Sequence, residues 1–309
     1  MVRLGIHVPA AFAGPLPPAR AYLDFFQHAE ALGFHSLWSE DRIFHAANFL
    51  DAMTLLSWAA AATTRVQLGT AVLVLALRNA PLLARQVSTL DYLSGGRLAL
   101  GISVGGHPSE YQGLGIPMQQ RVARLRENIT VLRQLLSGEP VSTQGRFYDL
   151  HKAIIRPASP QPNGVPLYMG GRVDTVLQRA GELSDGWIMG PFGTTDECRT
   201  SVAKVQSAAH AAGRDPQALV IGKLIYAQVD DDVDRAYRTL HTFLHGYYSR
   251  PVDVTEVAAF GKPQEVIARL QAFAEAGVST FMLGVPTLEV SQLERLAHEV
   301  MPHLQAQET

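Results

Sequence analysis

Cysteine is almost missing from this chain: Cys198 is the only one in 309 residues. A single thiol excludes an intramolecular disulfide and a multi-cysteine metal site. Its polar setting, DECRT, marks it as incidental. A surplus of charge is missing too. Twenty-six Lys and Arg against 28 Asp and Glu leave a net charge of −2, without the basic excess of a nucleic-acid binder. Long hydrophobic runs are absent. AVLVLAL at 71–77 is the longest, far too short to cross a bilayer. The N-terminal MVRLGIHVP lacks the apolar segment of a secretory signal. Neither nucleic acid nor membrane is therefore expected as a partner, and a cytoplasmic setting is. His107 has no second histidine at metal-ligand spacing, so no metal is expected.

What is present is apolar content and alternation. Apolar residues make up 47% of the chain, enough for a large core. Strand-like runs at 4–8, 36–39, 66–70, 98–103, 166–171, 186–190, 219–229 and 280–285 alternate with helical patterns. The helical stretches are 18–32, 51–62, 80–94, 119–137, 173–184, 195–212, 231–246, 263–276 and 289–300. Eight such strands imply a parallel sheet in an α/β protein. In one domain of about 300 residues they favour a closed (β/α)8 TIM barrel. The rival is an open doubly wound sheet, but LGIHVPAAFAG after the first strand offers no glycine fingerprint. Two irregular stretches, near 138–165 and 247–262, read as insertions. They are expected to cap a pocket, with His245, Tyr247, Tyr248 and Arg250 as candidates to face it; an exposed polar loop is the plain alternative.

In such a barrel, function gathers at the C-terminal strand ends. His7, the run Ser39-Glu40-Asp41-Arg42, Thr70-Ala71-Val72, Gly105-Gly106, and Gly170-Gly171-Arg172 fall there. Each has a plain reading: a core histidine, an exposed ion pair, a tight turn. The second glycine pair, Gly170-Gly171 with Arg172, is more specific. Amides at a helix start together with an arginine suit a phosphate.

Residues 78–106, RNAPLLARQVSTLDYLSGGRLALGISVGG, followed by Glu110, Gly115 and Arg121, resemble the bacterial luciferase-like family of flavin and deazaflavin oxidoreductases. Two further family-like blocks are PLYMGG…AGELSDGW (166–187) and GKPQEVIARLQAFAEAGVSTFMLG (261–284). The resemblance implies a barrel with the cofactor ring over its open end. It places a cis non-prolyl bulge at Ala71–Val72 behind the ring, and Gly105 and Gly106 where the ring passes. Gly170, Gly171 and Arg172 would cradle its phosphate. Ser94 to Arg97 would be a structural turn at the opposite face.

Asp41 matches a position near the ring, and with Arg42 it is the expected catalytic pair; His7 and Thr70 join the cofactor-binding set. Arg42 stays protonated and cannot act as a base, so it would bind an anionic substrate or the carbonyl edge of the cofactor. It stands where many deazaflavin members have histidine. Gly106 stands where their sugar-phosphate dehydrogenases have a glutamate. Both departures argue against that activity.

LWSEDR at 37–42 resembles the deazaflavin branch. Hydride transfer between coenzyme F-420 and a small organic substrate is thus the expected function. The alternatives are a reduced-FMN monooxygenase served by a separate reductase, and a non-catalytic barrel with a degraded site. The family resemblance also implies a homodimer.

Overall fold

The computed structural model describes residues 2–248 and 250–305. Eight parallel strands form its centre: β1 Arg3–His7, β2 Ser36–Ser39, β3 Gln67–Val74, β4 Leu98–Ser103, β5 Leu167–Gly170, β6 Gly186–Met189, β7 Val220–Val229 and β8 Thr280–Gly284. Each pairs with its neighbours in sequence, β8 pairs with β1, and the β6–β7 pairing closes the ring. The sheet is therefore a (β/α)8 barrel, and the open-sheet rival falls. All eight expected strands are present. A short ninth, Ala258–Gly261, pairs in parallel with the end of β7, Tyr226 to Val229.

Local chemistry sets the helix starts. Asp51 accepts the Thr54 amide at 2.9 Å, Asn79 accepts that of Leu82, and Thr194 and Glu197 form a reciprocal capping box. Apolar faces of the helices meet the outer face of the strands in one large core. A second cluster, Trp38, Ala71, Ala99, Tyr168, Ile188, Leu224 and Met282, fills the barrel interior. Trp38 fits there because Gly69 has no side chain: a Cβ on Gly69 would lie 2.2 Å from the indole.

Several expectations are corrected. The third strand does not stop at 70 but continues to Val74 through an irregularity in register between Thr70 and Leu73. Residues 247–262 are not one irregular excursion. The helix Val233–Tyr248 runs further than its polar end suggests, and Val254–Val257 and Ala258–Gly261 are ordered elements.

Residues 138–165 form a hairpin, Val141–Gln144 against Asp149–Ala153, and then run to the N-terminal face of the barrel. There Ser159 and Gln161 bond the Asp91 carboxylate at 2.5 and 2.8 Å. This segment does not cap the cavity described below. The Ser94–Arg97 turn lies at that same face, as expected. Arg97 donates to the carbonyls of Ser94, Val66, Ala60 and Thr63 and to the Thr63 hydroxyl. Among the described residues, no helix is long and apolar enough to cross a membrane.

Candidate active site

A cavity of about 530 Å³ opens at the C-terminal mouth of the barrel. Its wall is built from the ends of six strands, β2 to β7, and from the last turn of the helix Val233–Tyr248. Asp41, Arg42, Ala71, Val72, Gly105, Gly106, Gly170, Gly171 and Arg172 all line it. The structure thus brings together nine of the residues read from the sequence. His7 and Thr70 do not reach the wall. Thr70 turns its hydroxyl to the Gly101 carbonyl at 2.7 Å, and His7 is buried at the end of β1.

The β3 end carries the expected bulge. The Ala71–Val72 peptide is cis, as the family resemblance implies. Val72 then projects toward β5, where a Cβ on Gly170 would come within 2.9 Å of its Cγ1. Gly105 and Gly106 differ in what makes them bare. Gly105 has φ +68°, and a Cβ there would meet Val74 Cγ1 at 2.5 Å, so the backbone itself demands glycine. Around Gly106 nothing lies within 4 Å of a Cβ. That open space belongs to the cavity. The first glycine is architectural, and the second leaves room for a ligand.

Asp41 is 5% exposed and both of its oxygens are engaged. Oδ1 takes the Arg78 guanidinium at 2.5 Å and Oδ2 takes the Val74 amide at 3.0 Å. Burial pulls this carboxyl above the usual aspartate range, against the lowering by Arg78 and Val74. Asp41 therefore clamps the far end of the bulge. Arg42 forms no ion pair among the described residues and lines the cavity.

Glu40 is half-buried in the wall, and burial pushes its carboxyl up to about 7. The Tyr247 hydroxyl donates to its Oε2. Beside them Tyr226 and Tyr248 share a hydroxyl contact of 3.0 Å, and the rings of Tyr247 and Tyr248 meet edge to face at 4.6 Å. Tyr247 and Tyr248 thus face the cavity as anticipated. His245 and Arg250 do not line it. His245 stacks on His241, and Arg250 covers the Phe192 ring at 5.1 Å.

Glu110, read only as part of a motif, is 1% exposed and lines the cavity. Its Oε1 accepts the Ile43 amide at 3.0 Å, which ties the segment after β2 to that after β4. Lys223 was not anticipated at all. It is fully buried on the outer side of β7, with its pKa lowered by burial to about 7. Its Nζ donates to the carbonyls of Gly190 and Pro191, at 2.6 and 2.9 Å, and so holds the wall segment after β6. Glu40 was visible only as one letter of a polar run. The signal for Tyr226 was the two-residue period of β7, which turns Gly222, Leu224 and Tyr226 inward.

Comparison with known proteins places this geometry among relatives. A family model described as luciferase-like monooxygenase matches residues 2–280. An uncharacterised protein of Mycobacterium tuberculosis is 34% identical over 166 residues. That match spans 54% of this chain and 56% of the relative, so little more than half the length of that protein is matched. An F420-dependent glucose-6-phosphate dehydrogenase of Kineococcus radiotolerans is 30% identical over 314 residues, covering 91% of this chain and 92% of that one. Among solved structures, an F420-dependent secondary alcohol dehydrogenase in complex with an F420-acetone adduct superposes with a TM-score of 0.86. It is 24% identical and covers 98% of this chain and 99% of that one. At that identity the likeness speaks for the fold alone.

Proposed function

The chain belongs to the luciferase-like monooxygenase family, and from that membership we propose that it transfers hydride between a deazaflavin, coenzyme F-420, and a small organic substrate. One observation carries the reading. Three neighbouring strands present a bulge at Ala71–Val72, open space at Gly106 and the Gly170–Gly171–Arg172 turn to one cavity. A flat ring laid across β3 and β4 has the bulge behind it and no side chain in its way at Gly106. Its phosphate falls at the start of the helix Asp174–Leu183, beside the exposed Arg172. Helix N-terminal amides and a guanidinium both favour an anion there. The F420 dependence of the Kineococcus radiotolerans relative supports this cofactor over FMN.

Bound there, a deazaflavin supplies or accepts the hydride. The protein binds, orients and excludes water. Asp41 positions the bulge through Arg78 and Val74. Arg42 offers a fixed positive charge to an anionic substrate or to the carbonyl edge of the ring. Phe192, Tyr226 and Tyr248 close the opposite wall with aromatic surface. The cavity stands toward the lower end of the usual range for ligand sites, so with the ring in place the substrate is small. Glucose 6-phosphate is a poor fit. Arg42 and Gly106 stand where the sugar-phosphate dehydrogenases of the family carry a histidine and a glutamate.

Fluorescence titration of the protein with oxidised deazaflavin, and separately with FMN, tests the reading. The expected outcome is micromolar binding of the deazaflavin, with FMN weaker by about tenfold or more, which is about 1.4 kcal/mol. The reverse order turns the reading to an oxygen-using monooxygenase with a partner reductase. Binding of neither returns it to a barrel without a working site.

A further inference from the structure

The cavity offers a hydride-transfer reaction few groups able to move a proton. Both Asp41 oxygens are occupied by Arg78 and Val74. Arg42 and Arg172 stay charged, and His107, which also lines the cavity, stands exposed to solvent. Glu110 has committed Oε1 to the Ile43 amide, and its Oε2 is sealed from surface. Glu40 is different. Only Oε2 is engaged, by the Tyr247 hydroxyl, and among the described residues no hydrogen bond reaches Oε1. Tyr247 also lines a second, outer groove of about 620 Å³ between Phe12, Phe243 and Pro286. The Glu40–Tyr247 pair therefore lies between the cavity and a groove open to solvent.

We propose that Glu40 exchanges the substrate proton, that Tyr247 connects it to the outer groove, and that the substrate is a small alcohol or the matching carbonyl compound. The inference rests on the deazaflavin reading above. In the oxidising direction the substrate O–H bond breaks and its proton goes to Glu40 Oε1. The adjacent C–H bond breaks with its electron pair, and that hydride goes to the oxidised deazaflavin as the C=O double bond forms. Reduction runs each step backwards, with the proton leaving Glu40 for the carbonyl oxygen.

The charged and titratable groups around Glu40 are Arg42, Tyr247, Tyr248 and Tyr226, with Asp41 next in the chain. Burial raises the carboxyl toward 7, while the Tyr247 hydrogen bond and Arg42 pull it down. Near neutral pH such a group both gives and takes a proton, which is what a general acid–base needs.

The test compares wild type with Glu40→Gln and Tyr247→Phe. First, carbon-13 NMR of glutamate-labelled protein without cofactor is followed against pH. A carboxyl titrating near 7 is expected in wild type, absent in Glu40→Gln and shifted upward in Tyr247→Phe. Second, deazaflavin affinity is expected within about twofold of wild type in Glu40→Gln, about 0.4 kcal/mol. Third, single-turnover oxidation of 2-propanol, cyclohexanol and benzyl alcohol is followed with bound oxidised deazaflavin. The wild-type rate for at least one is expected to rise with pH through about 7. Glu40→Gln is expected to fall by about 10²-fold or more and to lose that pH dependence.

A Glu40→Gln enzyme with the wild-type rate or pH profile overturns the assignment. So does a signal near 7 that survives the substitution. Deazaflavin binding without turnover of any of the three alcohols overturns the substrate class. Failure of deazaflavin to bind overturns the reading beneath, and is seen separately in the second measurement.

Discussion

His7 ends β1 with 4% of its surface exposed, and its Nε2 meets no partner among the described residues. Burial holds the imidazole down to about 4. The folded chain therefore keeps it neutral where an unfolded chain, with an ordinary value near 6.5, takes up a proton. Stability from this group is complete above about 6.5 and is lost as pH falls from there through 4. The full loss is about 3 kcal/mol. Urea denaturation of wild type and His7→Gln at pH 7.5 and pH 4 checks it, with the variant losing less by about that amount. Equal acid losses in the two proteins would clear His7. Glu40 works in the opposite sense. Its raised value favours the protonated fold, so its contribution is present at low pH and fades as pH rises through about 7. Position at a strand end made His7 a candidate from the sequence. Its burial and lack of a partner came from neighbouring strands, which no local pattern reveals.

At the scale of elements, the β3 bulge depends on a contact between residues 37 positions apart. Asp41 from the end of β2 holds Arg78 and the Val74 amide, on either side of the turn that ends β3. Asp41→Ala removes both contacts. The expected loss is about 2 kcal/mol, below the usual cost of breaking a buried pair. The reason is that Arg78 keeps some exposure and has Asp51 at 3.9 Å as a second carboxylate. Deazaflavin affinity should fall in the same variant, and Asp41→Asn should recover part of the stability. Thermal unfolding with and without the cofactor measures both; an Asp41→Ala protein as stable as wild type would refute the clamp. The elements themselves were largely legible, because helices announce their starts through Asp51, Asn79 and Thr194 and strands through apolar runs. The stretch 247–262 was not. Its composition is polar and irregular, yet Ala258–Gly261 is drawn into the sheet by the edge of β7, and pairing overrides local preference.

Across the whole molecule, the two ends of β4 separate stability from function. At the N-terminal face Arg97 donates to four backbone carbonyls and one hydroxyl. Arg97→Met leaves those acceptors without their donor and is expected to cost about 3 kcal/mol, with deazaflavin affinity within about twofold of wild type. At the other end Gly106→Val places a side chain in open space. Its stability should stay within about 0.5 kcal/mol of wild type, while deazaflavin affinity drops by about tenfold or more. Denaturation and fluorescence titration on both variants give the comparison, and an unimpaired Gly106→Val would place the ring elsewhere. The sequence by itself determined the eight-unit alternation, the glycine pairs and the strand-end residues that line the mouth. Period and turn chemistry act over a few residues and leave their mark in the order of letters. Only the tertiary structure decided that Gly105 is bare for Val74 and Gly106 for the cavity, that 138–165 runs to the far face, and that Tyr247 reaches Glu40 across 207 positions. Those outcomes depend on closing the barrel. Closure sets which side chains meet and which are taken out of water, and it does so through contacts distant in the chain.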